Sequence, residues 1–150
     1  MKPIYRLEDV HYYGFDMLDV ENIEDRLLIG YFSSIDKLNI AIDTCIANGV
    51  KLENIRISTF FDNFTKNQKY VYVLSHEYAV LEQNGNYTDY EYIFPPFSNQ
   101  KKCLLLKSEL LKEKKYAFST NRSYDIQPPD GFYISDNQID FIYHPICKKI

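Results

Sequence analysis

The sequence predicts an α+β protein made of two tandem strand–hairpin–helix–strand (ββαβ) units, with two helices packed on an antiparallel sheet. Three observations predict this class: two apolar stretches with helical spacing, several β-branched and aromatic stretches bounded by turn residues, and identities that recur at one offset. With 150 residues, 45% hydrophobic and 25% charged, the chain suits a single compact domain over residues 1–150.

The two units are indicated by identical residues that lie 65 positions apart. Near the end of each unit, residues 55–58 parallel residues 132–135 at an offset of 77, which implies an insertion in the second unit within 115–130. We therefore expect pseudo-repeat units at 1–61 and 70–145, joined by a polar connector at 62–69. Chance identity is the alternative to duplication. The matched pairs are His11 with His76, Tyr5 with Tyr70, Tyr13 with Tyr78, Phe32 with Phe97, Ser33 with Ser98 and Lys37 with Lys102.

The first unit follows the ββαβ order. Ser33 or Ser34 is predicted to cap its helix, and Asn48-Gly49 ends it. The predicted elements are a strand at 4–13, a return strand at 26–32, a helix at 35–48 with Ile35, Leu38, Ile42 and Cys45 on its inner face, and a closing strand at 54–61.

The second unit has stronger local signals. Asn84-Gly85 predicts a hairpin turn, Pro95-Pro96 ends the return strand, and Ser98 is expected to cap the helix. The predicted elements are strands at 70–81 and 87–94, a helix at 99–115 with Cys103, Leu104, Leu106, Leu110 and Leu111 at helical spacing, an irregular loop at 116–128, a turn at 128–131, and strands at 132–135 and 139–143.

Several of these stretches resemble a family of small, uncharacterised bacterial domains. The second unit supplies VYVLSHEY and PDGFYISDNQID, and the first supplies LIGYFSS. The second unit departs from the family pattern with IFPPFS in place of the Gly-Tyr-Ser element, and the first unit lacks the PDGF turn. The resemblance implies the fold plan, and the family has no known activity to carry over.

Net charge narrows the class of partner, and the cysteine content indicates the cellular setting. A net charge of −4 argues against binding to a nucleic-acid backbone, which needs a Lys/Arg surplus. Neither a signal peptide nor an apolar run long enough to span a bilayer is visible, and three widely spaced cysteines fit a reduced setting. We expect a cytoplasmic protein with no nucleic-acid or membrane partner, whose oligomeric state the sequence leaves open.

No motif indicates catalysis, a metal or a cofactor, so we expect none of the three. His76-Glu77 lacks the second histidine of a zincin, and His144 with Cys147 lacks the other half of a metal site. His11 and His76 are the alternative candidates, as an acid–base or ligand site between the two units. The competing interpretation is two histidines hydrogen-bonded within the scaffold. The cysteines are expected to be core residues.

The acidic stretch at 14–25, with the aromatic residues beside it, is the main candidate for a binding surface. Negative charge beside tyrosine anchors suits docking onto a basic partner, and a solvated loop is the alternative. The candidate protein-binding residues are Tyr12, Tyr13, Phe15, Asp16, Asp19, Glu21, Glu24 and Asp25.

The sequence therefore favours a non-catalytic protein-binding module. Its most concrete form is a bacterial immunity or inhibitor protein that neutralises a basic toxin domain such as a nuclease. The alternatives are a small enzyme or ligand sensor with its site between the units, and an accessory domain that mediates oligomerisation.

Overall fold

The structure, a computed structural model, describes residues 1–13, 23–81, 85, 87–113 and 131–148. The predicted hairpin at 83–86, apart from Gly85, the predicted loop at 116–128 and most of the acidic stretch at 14–25 lie outside the described residues. The elements are β1 (Lys2–Tyr13), β2 (Ile23–Phe32), α1 (Ile35–Ala47), β3 (Ile55–Asp62), β4 (Tyr70–Leu81), β5 (Tyr87–Ile93), α2 (Gln100–Leu110) and β6 (Phe132–Gln138), with short 3-10 turns at Leu52–Asn54 and Ile146–Lys148.

The α+β class and the order strand, strand, helix, strand in each half are confirmed. The strands form two three-stranded sheets rather than the one expected, in the orders β2-β1-β3 and β5-β4-β6. Two compact units result: unit 1 comprises residues 1–69 and 138–150, and unit 2 comprises 70–137. The last thirteen residues thus group with the first unit, although the sequence pattern had extended the second unit to residue 145.

The sheet of unit 1 is centred on β1, which is buried over five consecutive residues. Antiparallel ladders pair it with β2 on one side and β3 on the other, and a bulge between Leu7 and Glu8 interrupts only the β2 ladder. Since neighbouring strand residues point to opposite faces, continuous burial means that both faces of β1 are covered. The buried run includes three charged residues, Arg6, Glu8 and Asp9.

Helix α1 packs on one face of this sheet. Its N-cap is Ser34, whose side chain accepts a hydrogen bond from the backbone N–H of Lys37, and it ends at Asn48 before Gly49. Ile35 is 58% exposed, so its predicted place on the inner face is wrong, because the first residue after the cap turns outward. The core of unit 1 consists of Leu7, Ile29, Phe32, Leu38, Ala41, Cys45, Val50 and Cys147.

The C-terminal segment of the chain runs beside β2. Asp140 N–H donates to the carbonyl of Tyr31, and Tyr143 N–H donates to that of Ile29. Only one bridge, between Tyr31 and Ile139, has strand geometry, so the predicted strand at 139–143 is wrong. A Cβ on Gly30 would clash with the Phe141 carbonyl oxygen, so this close approach requires glycine.

Unit 2 has β4 at its centre, and α2 packs on its core. The N-cap of α2 is Asn99 rather than the predicted Ser98, and the helix ends at Leu110, five residues early. Leu104 is 52% exposed and Leu111 lies beyond the helix end, so these two of the five apolar residues with helical spacing do not pack into the core. The buried core residues are Leu74, Phe94, Cys103 and Phe132, with Leu106 and Leu110 partly buried against them.

Gly131, which directly precedes β6, contacts β4 through its backbone. Gly131 has a φ of +79°, and a Cβ there would lie 2.5 Å from the Glu77 carbonyl oxygen. Its own carbonyl accepts the Glu77 N–H at 2.8 Å. Only glycine satisfies both the left-handed backbone and the close approach. The closing strand begins at Phe132, as expected, and continues to Gln138.

Candidate functional site

His11 lies on β1, two residues after a buried carboxylate. Its Nε2 atom is 3.0 Å from Oδ1 of Asp9, and the pair shares one strand face because side chains two residues apart point the same way. The His11 side chain is 42% exposed and that of Asp9 is 5% exposed. Oδ1 receives no hydrogen bond from the described residues, so its contact with His11 is one of proximity without hydrogen-bond geometry.

The other oxygen of Asp9 is held by His144, from the C-terminal segment. Nε2 of His144 lies 2.9 Å from Oδ2, and the His144 side chain is 1% exposed. Nδ1 of the same ring accepts the backbone N–H of Ile146 at 3.1 Å. The proton therefore sits on Nε2 and is donated to Asp9, which assigns a neutral ring of one tautomer.

The Asp9–His11 pair has the form that acid–base chemistry requires, an imidazole with a positioned carboxylate. Nε2 is the ring nitrogen nearer to Asp9, and Nδ1 is the one farther from the carboxylate. Within the described part of the chain, no hydroxyl or thiol group forms a hydrogen bond with His11.

His76 has a different setting in unit 2. It is 4% exposed, and its ring packs against Phe132 with the two centroids 4.4 Å apart. The VYVLSHEY and PDGF motifs therefore meet through this pair of rings and through the Glu77–Gly131 hydrogen bond. His11 belongs to unit 1, so a shared site of the two histidines stays a prediction.

The structure brings four of the candidate protein-binding residues onto paired strands. The β1–β2 ladder places Tyr12 opposite Glu24, Tyr13 opposite Ile23, and His11 opposite Asp25. Aromatic and acidic residues that are far apart in the predicted stretch therefore become neighbours along a two-stranded ribbon. The other four, Phe15, Asp16, Asp19 and Glu21, lie outside the described residues.

Asp140 is a second organised carboxylate in unit 1. It accepts hydrogen bonds from the N–H of Ser33 at 2.9 Å, the Oγ of Ser33 at 2.7 Å and the Nζ of Lys37 at 3.0 Å. Burial alone would raise the pKa of Asp140, but these hydrogen bonds and the Lys37 charge outweigh it and lower the pKa. Its backbone adopts a φ of 61°, which aspartate tolerates better than most residues.

The cysteines differ from the expectation of three reduced thiols. Cys45 of α1 and Cys147 of the C-terminal segment form a disulfide with Cα atoms 4.6 Å apart. Cys103 is buried and free, as expected of a core residue, and burial raises the pKa of its thiol to about 11. The pairing escaped the sequence analysis because an odd cysteine count does not reveal which two meet.

The described residues contain no group of three or more His, Cys, Asp or Glu side chains placed to hold a metal ion. None of the described helices is long and apolar enough to cross a membrane. Comparison with known proteins finds no match among family models, curated sequences or solved structures.

Two functional candidates, Asp9 and Asp140, were missed by sequence reasoning. Asp9 had a readable signal, since an Asp-x-His spacing on a predicted strand places both side chains on one face. Asp140 had none, because its partners Ser33 and Lys37 are more than 100 residues away.

Proposed function

We propose that the protein is a non-catalytic protein-binding module, and specifically an immunity or inhibitor protein that neutralises a basic toxin domain. The observation that carries the proposal is the β1–β2 register, which places Tyr12 opposite Glu24 and His11 opposite Asp25. Tyrosine anchors beside carboxylates suit a docking surface for a basic partner, because aromatic residues supply hot-spot packing and charge steers the encounter.

The buried network at the base of this ribbon supports the same proposal. Asp9 ties β1 to His144 through a buried hydrogen bond, two residue pairs along the β1–β2 ladder from Asp25. Preorganised strands lose less conformational entropy when a partner binds. The overall charge of −4 adds long-range attraction toward a cationic partner.

The test is binding to the product of the neighbouring gene in the native genome, by isothermal titration and by survival on co-expression. The variant Glu24→Lys/Asp25→Lys reverses the charge of the ribbon. We expect tight binding and rescue by the wild type, and at least about a tenfold loss of affinity in the variant, since like charges across an interface are strongly unfavourable.

The matched control is Asp43→Lys/Glu53→Lys, which makes the same charge change at two exposed positions away from the ribbon. This control should bind within about twofold of the wild type. The proposal fails if neither neighbouring gene product is toxic and bound, or if the two double variants lose affinity equally.

A second candidate function, a small enzyme or ligand sensor, is favoured by the Asp9–His11 pair alone. In this case His11 would act as a base through Nδ1, with Asp9 holding the opposite side of the ring. A panel of ester, phosphoester and peptide substrates tests it with wild type and His11→Gln. Turnover that His11→Gln abolishes would support this candidate, and an inactive wild type would dismiss hydrolytic chemistry.

A further inference from the structure

A cleft of about 440 Å³ in unit 1 is lined by four lysines, although the chain as a whole is acidic. Lys2 begins β1, Lys37 lies on α1, and Lys66 and Lys69 lie on the connector after β3. These three segments are separated in sequence, so the positive charge is assembled only by folding. The connector, predicted as a polar spacer, thus contributes half of a basic surface.

One of the four lysine charges is already compensated. Lys37 pairs with Asp140 at 3.0 Å, and Asp140 also accepts both hydrogen bonds from Ser33. In the described part of the chain, Lys2, Lys66 and Lys69 form no ion pair with a carboxylate. No carboxylate of the described residues therefore compensates these three charges.

The lining and the volume of the cleft also limit which ligand could compensate the charges of the three lysines. Ile4, Phe64 and Ile139 line it as buried residues, each 7% exposed or less, whereas the four lysines that line it are exposed. A volume of about 440 Å³ falls within the range of small-molecule sites. An ammonium group offers three donors to phosphate oxygens without fixed directions, which suits a compact anion.

We propose that this cleft binds a small organic polyphosphate of the nucleoside diphosphate class. Two linked phosphate groups carry enough negative charge to match three lysines, whereas a monocarboxylate would leave most of the repulsion. The remaining volume accommodates the organic part of the ligand. This site is separate from the β1–β2 ribbon and does not depend on the function proposed for it.

The test is isothermal titration of the full chain with inorganic pyrophosphate, ADP and citrate at low salt. We expect pyrophosphate and ADP to bind with a Kd below about 1 mM, with affinity falling as salt rises. Lys66→Glu/Lys69→Glu should weaken both by at least about tenfold. Lys51→Glu/Lys101→Glu, which makes the same charge change at exposed positions outside the cleft, should remain within about twofold.

Amide shifts in NMR spectra give a second measurement, because the ligand should perturb residues 65–69 and Ser33 in the wild type. Circular dichroism establishes that each variant is folded before titration. Absence of pyrophosphate and ADP binding would overturn the proposal, as would equal losses in the two double variants. Citrate binding as tight as pyrophosphate binding would overturn the assignment to phosphate ligands.

Discussion

Asp9 is a charged residue in the middle of a sheet, where desolvation opposes its presence. Its carboxylate is 5% exposed and lies between two imidazoles, one buried and one half-exposed. A buried carboxylate is tolerated when it is paired, and removing the carboxylate leaves the buried donor of its partner unsatisfied. His144 and His11 therefore contribute unequally to stability. The buried His144 anchors the C-terminal segment to Asp9, whereas the side chain of His11 is partly exposed to solvent.

Asp9→Ala is expected to lower the free energy of unfolding by about 1–3 kcal/mol, because Nε2–H of the buried His144 loses its acceptor. His11→Ala should cost less than about 1 kcal/mol, since the contact of a half-exposed side chain with Asp9 is screened by solvent. Urea denaturation measures both, with Asp43→Ala on the exposed side of α1 as the control. Equal losses for Asp9→Ala and His11→Ala would contradict the prediction that the His144–Asp9 contact stabilises the protein more than the His11–Asp9 contact.

At the scale of elements, the two helices share one N-cap arrangement. Both begin at a residue whose side chain accepts the backbone N–H three positions later: Ser34 from Lys37, and Asn99 from Lys102. The two caps are 65 positions apart, the same offset as the matched identities. The sequence pattern placed the second cap one residue early because Ser98 and Asn99 are both good cap residues.

Asn99→Ala is expected to destabilise the protein by about 1 kcal/mol, because a terminal N–H of α2 loses its acceptor. Asn99→Ser is the matched control and should be close to neutral, since serine is an equally good cap. Thermal and urea unfolding measure the difference. A larger loss for Ser98→Ala than for Asn99→Ala would contradict the cap assignment.

At the scale of the whole molecule, unit 1 is made from both ends of the described chain. Residues 138–150 return to residues 1–69 after the whole of unit 2 has intervened. Asp140, His144 and Cys147 each join this segment to unit 1, through Ser33, Asp9 and Cys45 respectively. The C-terminal segment is therefore an integral part of unit 1.

Reduction of the Cys45–Cys147 disulfide is expected to lower the free energy of unfolding by about 2–4 kcal/mol, because a cross-link over 102 positions restricts the unfolded chain. Urea denaturation with and without a phosphine reductant measures it, and Cys45→Ser/Cys147→Ser should not respond to the reductant. Thiol titration in denaturant should find one thiol before reduction and three after it. Three thiols without reduction would contradict the pairing.

The sequence by itself determined the α+β class, the ββαβ order and most element bounds. Strand alternation, helical spacing, caps and turn residues act over a few neighbouring positions, so residues such as Asn48-Gly49 and the tyrosine-rich 70–81 stretch could be interpreted alone. The Asp9–His11 pair was accessible by the same local rule. The second cap and the exposure of Ile35 were decided by packing around each helix end.

The tertiary structure alone decided which distant groups meet. His144 reaches Asp9 across 135 positions, and Ser33 reaches Asp140 across 107. The lysines of the basic cleft likewise converge from β1, α1 and the connector. Such contacts depend on how the chain closes long loops onto a common core, and periodicity carries no information about that closure.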